Sequence, residues 1–82
     1  MNLFEKLIQK HGAYNQSLKA IEEFSELSRA IVRFKIYGDK TAEHNLLEEI
    51  ADAHIMLEQL KIMCPKWTDL LEFKIDRIKR KI

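Results

Sequence analysis

Two acidic pairs carry the chemistry that this sequence could do: Glu23 with Glu26, and Glu49 with Asp52, each spaced i, i+3. On an α-helix that spacing sets two side chains about 60° apart and roughly 4.5 Å along the axis, so each pair projects side by side. By steps of about 100° per residue, Glu23 falls on an apolar stripe between Ala30 and Leu27/Phe34, with Glu26 at its edge. Glu49 falls inside the arc of Leu46, Ala53, Leu57 and Leu60, and Asp52 borders it. Packing the two apolar faces together gathers four carboxylates into a partly buried place. Ionised carboxylates brought together repel one another and lose hydration, so they need protons or a cation. Mg²⁺ supplies the charge and suits all-oxygen ligation. The alternative is a solvated acidic face with basic i+4 partners. Here those positions hold Leu27, Ala30, Ala53 and Met56, although Arg29 stands three residues from Glu26. Glu22 and Glu48 point away from the stripes and read as surface charges.

The elements that must position these groups are helices. Gly12, Gly38 and Pro65 divide the chain into four segments of helical composition. The first, about residues 2–11, carries Leu3, Phe4, Leu7 and Ile8 and stops at Gly12. The second starts near Asn15 or Ser17, both good N-cap types, and runs to Tyr37 with Gly38 in the C-cap position. Its stripe is Ala20, Phe24, Leu27, Ala30/Ile31 and Phe34. Thr41 is the expected N-cap of a third helix, about 42–63. That helix has Leu46, Ile50, Ala53, Leu57 and Leu60 on one face and Leu47, Ala51, Ile55 and Ile62 on another, so it is expected to be buried on two sides. Pro65 fits the first turn of a fourth helix, about 65–81, with Leu70, Leu71, Phe73, Ile75 and Ile78. Two apolar faces on one helix exceed what one short chain covers, which points to a partner. The expected architecture is all-α: a single domain over 1–82, a four-helix subunit whose two long central helices form a bundle core shared with a second subunit. Ile21-Glu22-Glu23-Phe24-Ser25-Glu26 and Leu47-Glu48-Glu49-Ile50-Ala51-Asp52 match class by class, an internal echo that puts the acidic pairs at matching points of the two longest helices.

Glu22-Glu23-x-x-Glu26 followed by Glu49-x-x-Asp52 resembles the EExxE…ExxD pattern of the MazG-like, all-α nucleoside triphosphate pyrophosphohydrolases, and the resemblance covers most of the chain. Asn15-Gln16 and Lys74-x-x-Arg77-x-x-Arg80 are also similar to short members, while Gln59 stands where many longer members carry Asn. The resemblance implies Mg²⁺, or Mn²⁺ in its place, held by Glu23, Glu26, Glu49 and Asp52. It implies a nucleoside triphosphate substrate cleaved to monophosphate and pyrophosphate, and assembly as a homodimer or homotetramer. Such chemistry fits the residues, since phosphoanhydride hydrolysis needs charge neutralisation and an aligned water. A carboxylate of the cluster not fully used as a ligand would accept the water's proton; the residues do not single one out.

Lys74, Arg77 and Arg80 lie at i, i+3, i+6 near the chain's end. They read either as a clamp on a triphosphate tail, which the resemblance favours for Lys74 and Arg77, or as a solvated basic helix end favoured by the macrodipole. Trp67 and Tyr14 read as packing residues or as platforms for a base. His11, His44 and His54 show no HxxH or HxH spacing, so no zinc site is expected, and His54 is expected in the core or an interface. Cys64 is the sole cysteine, with no disulfide partner, and suggests a reducing, cytoplasmic setting. No glycine-rich phosphate loop is present.

Composition narrows the classes further. Apolar residues make up 46% and charged residues 33% of 82, proportions of a folded chain. A chain of this length buries only about 60% of the surface its unfolded form exposes, so its own core is small. With 14 basic and 13 acidic residues the net charge is +1, which argues against a dedicated nucleic-acid binder. No apolar run is long enough to span a membrane, and the start lacks the basic-then-apolar pattern of a signal peptide. The expected function is Mg²⁺-dependent hydrolysis of (d)NTP to (d)NMP and pyrophosphate in nucleotide-pool housekeeping. The rival classes are a non-catalytic helical oligomerisation or regulatory module and a nucleic-acid-associated module using the basic end.

Overall fold

The computed structural model describes residues 1–82. The chain is all-helical: α1 Leu3–His11, α2 Ala13–Ile31 continued by a π-helical turn Val32–Ile36, a 3-10 turn Lys40–Ala42, α3 Glu43–Met63, a 3-10 turn Pro65–Trp67, and α4 Thr68–Lys81. Asn2 and Glu5 form a reciprocal cap on α1, each side chain accepting from the other's backbone N–H. Gly12 (φ +88°) ends α1 and begins α2, and Gly38 (φ +72°) follows the wide turn; both conformations favour glycine. The expected N-caps of α2 lie inside it. Asn15 Nδ2 donates to the His11 carbonyl, and Ser17 Oγ to that of Ala13, so both groups bond back along the helix rather than open it. Thr41 is likewise not a helix cap. Asp39 holds that role for the 3-10 turn and accepts from the Thr41 backbone N–H.

The long helices α2 and α3 pack as an antiparallel hairpin, with α1 laid against both. The core is correspondingly small: Ala20, Ala30, Ala42, Leu46, Ala53 and Met56 are the buried apolar residues. Alanine at three of the helical contact points lets the axes approach closely. Between them lies a polar link, in which Gln16 Nε2 donates to Gln59 Oε1 at 2.7 Å, with Gln59 wholly buried. Gln59 Nε2 is turned to the Ile55 carbonyl at 3.2 Å, so the amide is engaged on both sides.

The α3 stripe differs from the expected one. Leu46 and Ala53 are buried as expected, but Met56 and Gln59 complete the inner face, whereas Ile50 and Leu57 are 49% and 47% exposed. The second apolar face, Leu47, Ile55 and Ile62, is exposed too, so within one chain α3 is buried on one side only. The 3-10 turn at Pro65 carries the chain into α4, which packs mainly on that turn and has no buried residue. Leu70, Leu71, Phe73, Ile75 and Ile78 are all exposed. The molecule measures 40 × 38 × 19 Å, so its thinnest dimension is about two helix diameters of roughly 10 Å. No helix is long and apolar enough to cross a membrane.

Candidate metal centre

One antiparallel register places every acidic position. The Gln16–Gln59 link fixes the start of α2 against the end of α3, and the same pairing sets Glu23 opposite Asp52 and Glu26 opposite Glu49. Carboxylate oxygens of Glu23, Glu49 and Asp52 lie within 4.8 Å of one another. Glu26 stands beside Glu49, close enough for a hydrogen bond between the two carboxyls. Three of the four acidic residues singled out by spacing thus share one cluster, with Glu26 at its edge beside Glu49.

The electrostatics of the group are unfavourable as it stands. Oε2 of Glu23 and Oε2 of Glu49 are both buried without a hydrogen-bond partner. Burial pushes the Glu23 carboxyl above its ordinary range, and repulsion from Glu26, Asp52 and Glu22 adds to this against a weaker pull from Lys19. Glu49 is raised by burial first, then by the charge of Glu26 and the carboxyl–carboxyl hydrogen bond with it, then by Asp52 and Glu23. Buried acceptors without donors lose hydration for no return, and a cation removes that penalty. The donor set fits a hard divalent ion: Mg–O bonds of about 2.0–2.1 Å put opposed ligands about 4.2 Å apart. The oxygens of Glu23, Glu49 and Asp52, within 4.8 Å of one another, would have to draw in further to share one ion, a movement open to side chains on the half-exposed rim of the hairpin. Asp52 is the exposed member and opens the group to solvent.

Two recesses flank the carboxylates. One, of about 440 Å³, is lined by Glu26, Arg29, Ala30, Arg33, Asn45 and Glu49. The other, of about 320 Å³, is lined by Lys19, Glu23, Asp52, Ile55 and Met56. They correspond position by position. The shift along the chain that carries Glu23 to Glu49 carries Glu26 to Asp52, Lys19 to Asn45, Arg29 to Ile55 and Ala30 to Met56. An antiparallel helix pair with equivalent motifs has an approximate twofold axis between the helices. The two recesses are its equivalent ends.

Other candidates fall elsewhere. Lys74 and Arg77 lie on α4, where with Ile78 and Lys81 they line a separate recess of about 210 Å³, and they line neither recess beside the carboxylates. Lys61 Nζ sits 4.7 Å from the centre of the Trp67 ring, which gives that ring a packing partner, and Tyr14 is exposed. His54 is on the surface rather than in the core, 3.8 Å from Glu58 one turn on. Glu48 pairs with His44 at 2.8 Å, as a surface charge should. In sequence, Arg29 is weighed only for its nearness to Glu26 and Arg33 is not singled out. Their places one and two helical turns beyond Glu26, on the same side of the helix, were the available signal. Comparison with protein-family models, curated proteins and solved structures finds no match for the chain.

Proposed function

We propose that the chain is a Mg²⁺-dependent nucleoside triphosphate pyrophosphohydrolase, converting (d)NTP to (d)NMP and pyrophosphate in nucleotide-pool housekeeping. The observation that carries the reading is the pair of buried, unpartnered oxygens of Glu23 and Glu49 within a cluster that Asp52 completes and Glu26 borders. Glu23, Glu26, Glu49 and Asp52 would hold Mg²⁺, or Mn²⁺ in its place. Bound there, the ion supplies charge neutralisation for a polyphosphate and polarises the phosphorus under attack. The chain's own part is to keep the carboxylates in register through the α2–α3 pairing. A carboxylate of the cluster not fully used as a ligand would take the proton from an attacking water.

The assembly that goes with this reading is a homodimer or homotetramer. Its support is the mismatch between six buried apolar residues and the uncovered faces of α3 and α4. A reducing, cytoplasmic setting suits the exposed, unpaired Cys64. The test is product analysis with Mg²⁺ and a panel of NTPs and dNTPs, with Glu49→Gln as control. Monophosphate plus pyrophosphate, lost in the variant, is the expected result. Diphosphate plus orthophosphate would place the cut at the other phosphoanhydride and overturn the proposed reaction.

A helical oligomerisation module is the second reading, favoured by the exposed apolar residues Leu71, Ile75 and Ile78 on one side of α4. Folded, oligomeric protein that turns over no nucleotide would select it.

A further inference from the structure

The two equivalent recesses beside the carboxylates differ in one respect, and it is chemical. At the Glu26–Glu49 end the walls are Arg29, Arg33 and Asn45; at the Glu23–Asp52 end, Ile55 stands in the place of Arg29 and Lys19 in that of Asn45. We propose that Arg29, Arg33 and Asn45 form the polyphosphate-binding end of the site, so that the phosphate chain runs from the carboxylate-held cation along α2 toward the π-turn. This rests on the nucleotide reading above and adds the direction in which the substrate lies.

Three features support it. Arg29 takes part in no ion pair or side-chain hydrogen bond, so its five donors are free for an anion. Arg33 is aimed: its Nε donates to Asp39 Oδ2 at 2.9 Å, which leaves both terminal nitrogens unused. Asp39 is itself fixed by hydrogen bonds from the Thr41 hydroxyl and backbone N–H, and its own N–H donates to the Arg33 carbonyl at 3.2 Å. The π-turn closes on the same spot, with the Tyr37 N–H donating to the Val32 carbonyl at 2.9 Å, and such wide turns recur at functional sites. Finally, the recess at this end, about 440 Å³, is roomier than the one of about 320 Å³ at the other. Two planar guanidinium forks suit phosphate oxygens better than the single ammonium of the opposite end.

The test is calorimetric titration of the full chain with inorganic tripolyphosphate at saturating Mg²⁺, preceded by a titration of Mg²⁺ alone followed by thermal unfolding. Arg29→Gln and Arg33→Gln are each expected to weaken tripolyphosphate binding by about tenfold to a hundredfold, the loss of charge-assisted hydrogen bonds. Arg29→Lys, which keeps the charge without the fork, recovers part of this, and the exposed control Lys10→Gln changes nothing. The rise in Tm on adding Mg²⁺ stays the same in all of them. Equal affinity in wild type and both arginine variants, no binding by wild type, or loss on Lys74→Gln or Arg77→Gln with Arg29→Gln silent would overturn the assignment. A wild-type Tm that does not respond to Mg²⁺ removes the carboxylate site and this assignment with it, and that result appears before any anion is added.

Discussion

The Gln16–Gln59 hydrogen bond sets the helix register on which the carboxylate group depends, and its removal has a sign pattern that few other mechanisms share. Gln59→Leu keeps the approximate volume and removes the acceptor of a 2.7 Å bond at a wholly buried position. The Gln16 amide, 5% exposed, is then left as a buried donor with nothing to donate to. Stranding such a group costs about 1–3 kcal/mol, whereas replacing both partners by apolar groups of similar shape is nearly neutral. Against a total stability of about 4–12 kcal/mol for a domain this size, the single change is a large share. At about 4–8 °C per kcal/mol for a 60–100-residue domain, Tm falls by roughly 5–20 °C. Gln16→Leu/Gln59→Leu recovers most of the loss, so the double-mutant cycle shows a coupling of at least about 1 kcal/mol. The assay is thermal and urea unfolding followed by far-ultraviolet circular dichroism, at one fixed protein concentration so that association contributes equally. Additive losses in the double variant, or a neutral Gln59→Leu, would refute the register argument.

Glu49→Gln should move stability in opposite directions with and without metal. Glu23 and Glu49 have folded-state pKa values raised above the ordinary 4.5. Their favourable contribution is therefore whole below that value and is lost as pH rises through the raised pKa. In metal-free protein, the Tm of Glu49→Gln minus that of wild type should be near zero at low pH and grow positive as pH rises; a difference independent of pH would contradict this. With Mg²⁺ at about a hundred times its Kd, wild type should gain about 2.7 kcal/mol, and Glu49→Gln little, in thermal unfolding. Mg²⁺ affinity, measured by calorimetry, should strengthen over the same rise in pH, because the ligands must be ionised. Ile78→Glu, placed on the exposed apolar face of α4, should shift the protein toward monomer in sedimentation while leaving the helical signal of α1–α3 in place. Unchanged sedimentation would locate the subunit contact elsewhere.

Helix positions were legible because the punctuation is sparse: Gly12, Gly38 and Pro65 mark three of the breaks, and the apolar periodicity fills the spaces between. The carboxylate group was legible for a related reason, since an acidic i, i+3 pair on an apolar stripe must go where the stripe goes. Cap identity was not. Asn15 and Ser17 have the right chemistry for a helix start, but Gly12 turns the chain early enough that both sit within the first turns and bond backward. Periodicity misplaced the inner face of α3: it marks apolar stripes without saying how far round a neighbour sits, and in the fold Met56 and Gln59 face inward with Leu46 and Ala53 while Ile50 and Leu57 stay out. The basic recess was hidden for a different reason. In sequence Arg29 reads as a partner for Glu26, and the π-turn that helps to bring Arg33 and Asp39 together has no signature in residue type.

The carboxylates come from one chain, on two helices that α4 barely touches, and α4 leaves all of its apolar residues uncovered. Subunit contacts made through α4 could then dissociate on dilution without taking the ion-holding hairpin apart. Mass action would set the population of assemblies, while cation occupancy followed the free ion concentration alone. Were copies of the chain to meet through α4 alone, exchange between assemblies would need only the undocking of that helix. A mixed oligomer of wild-type and Glu49→Gln chains should accordingly form by simple mixing, with each chain keeping its own metal affinity.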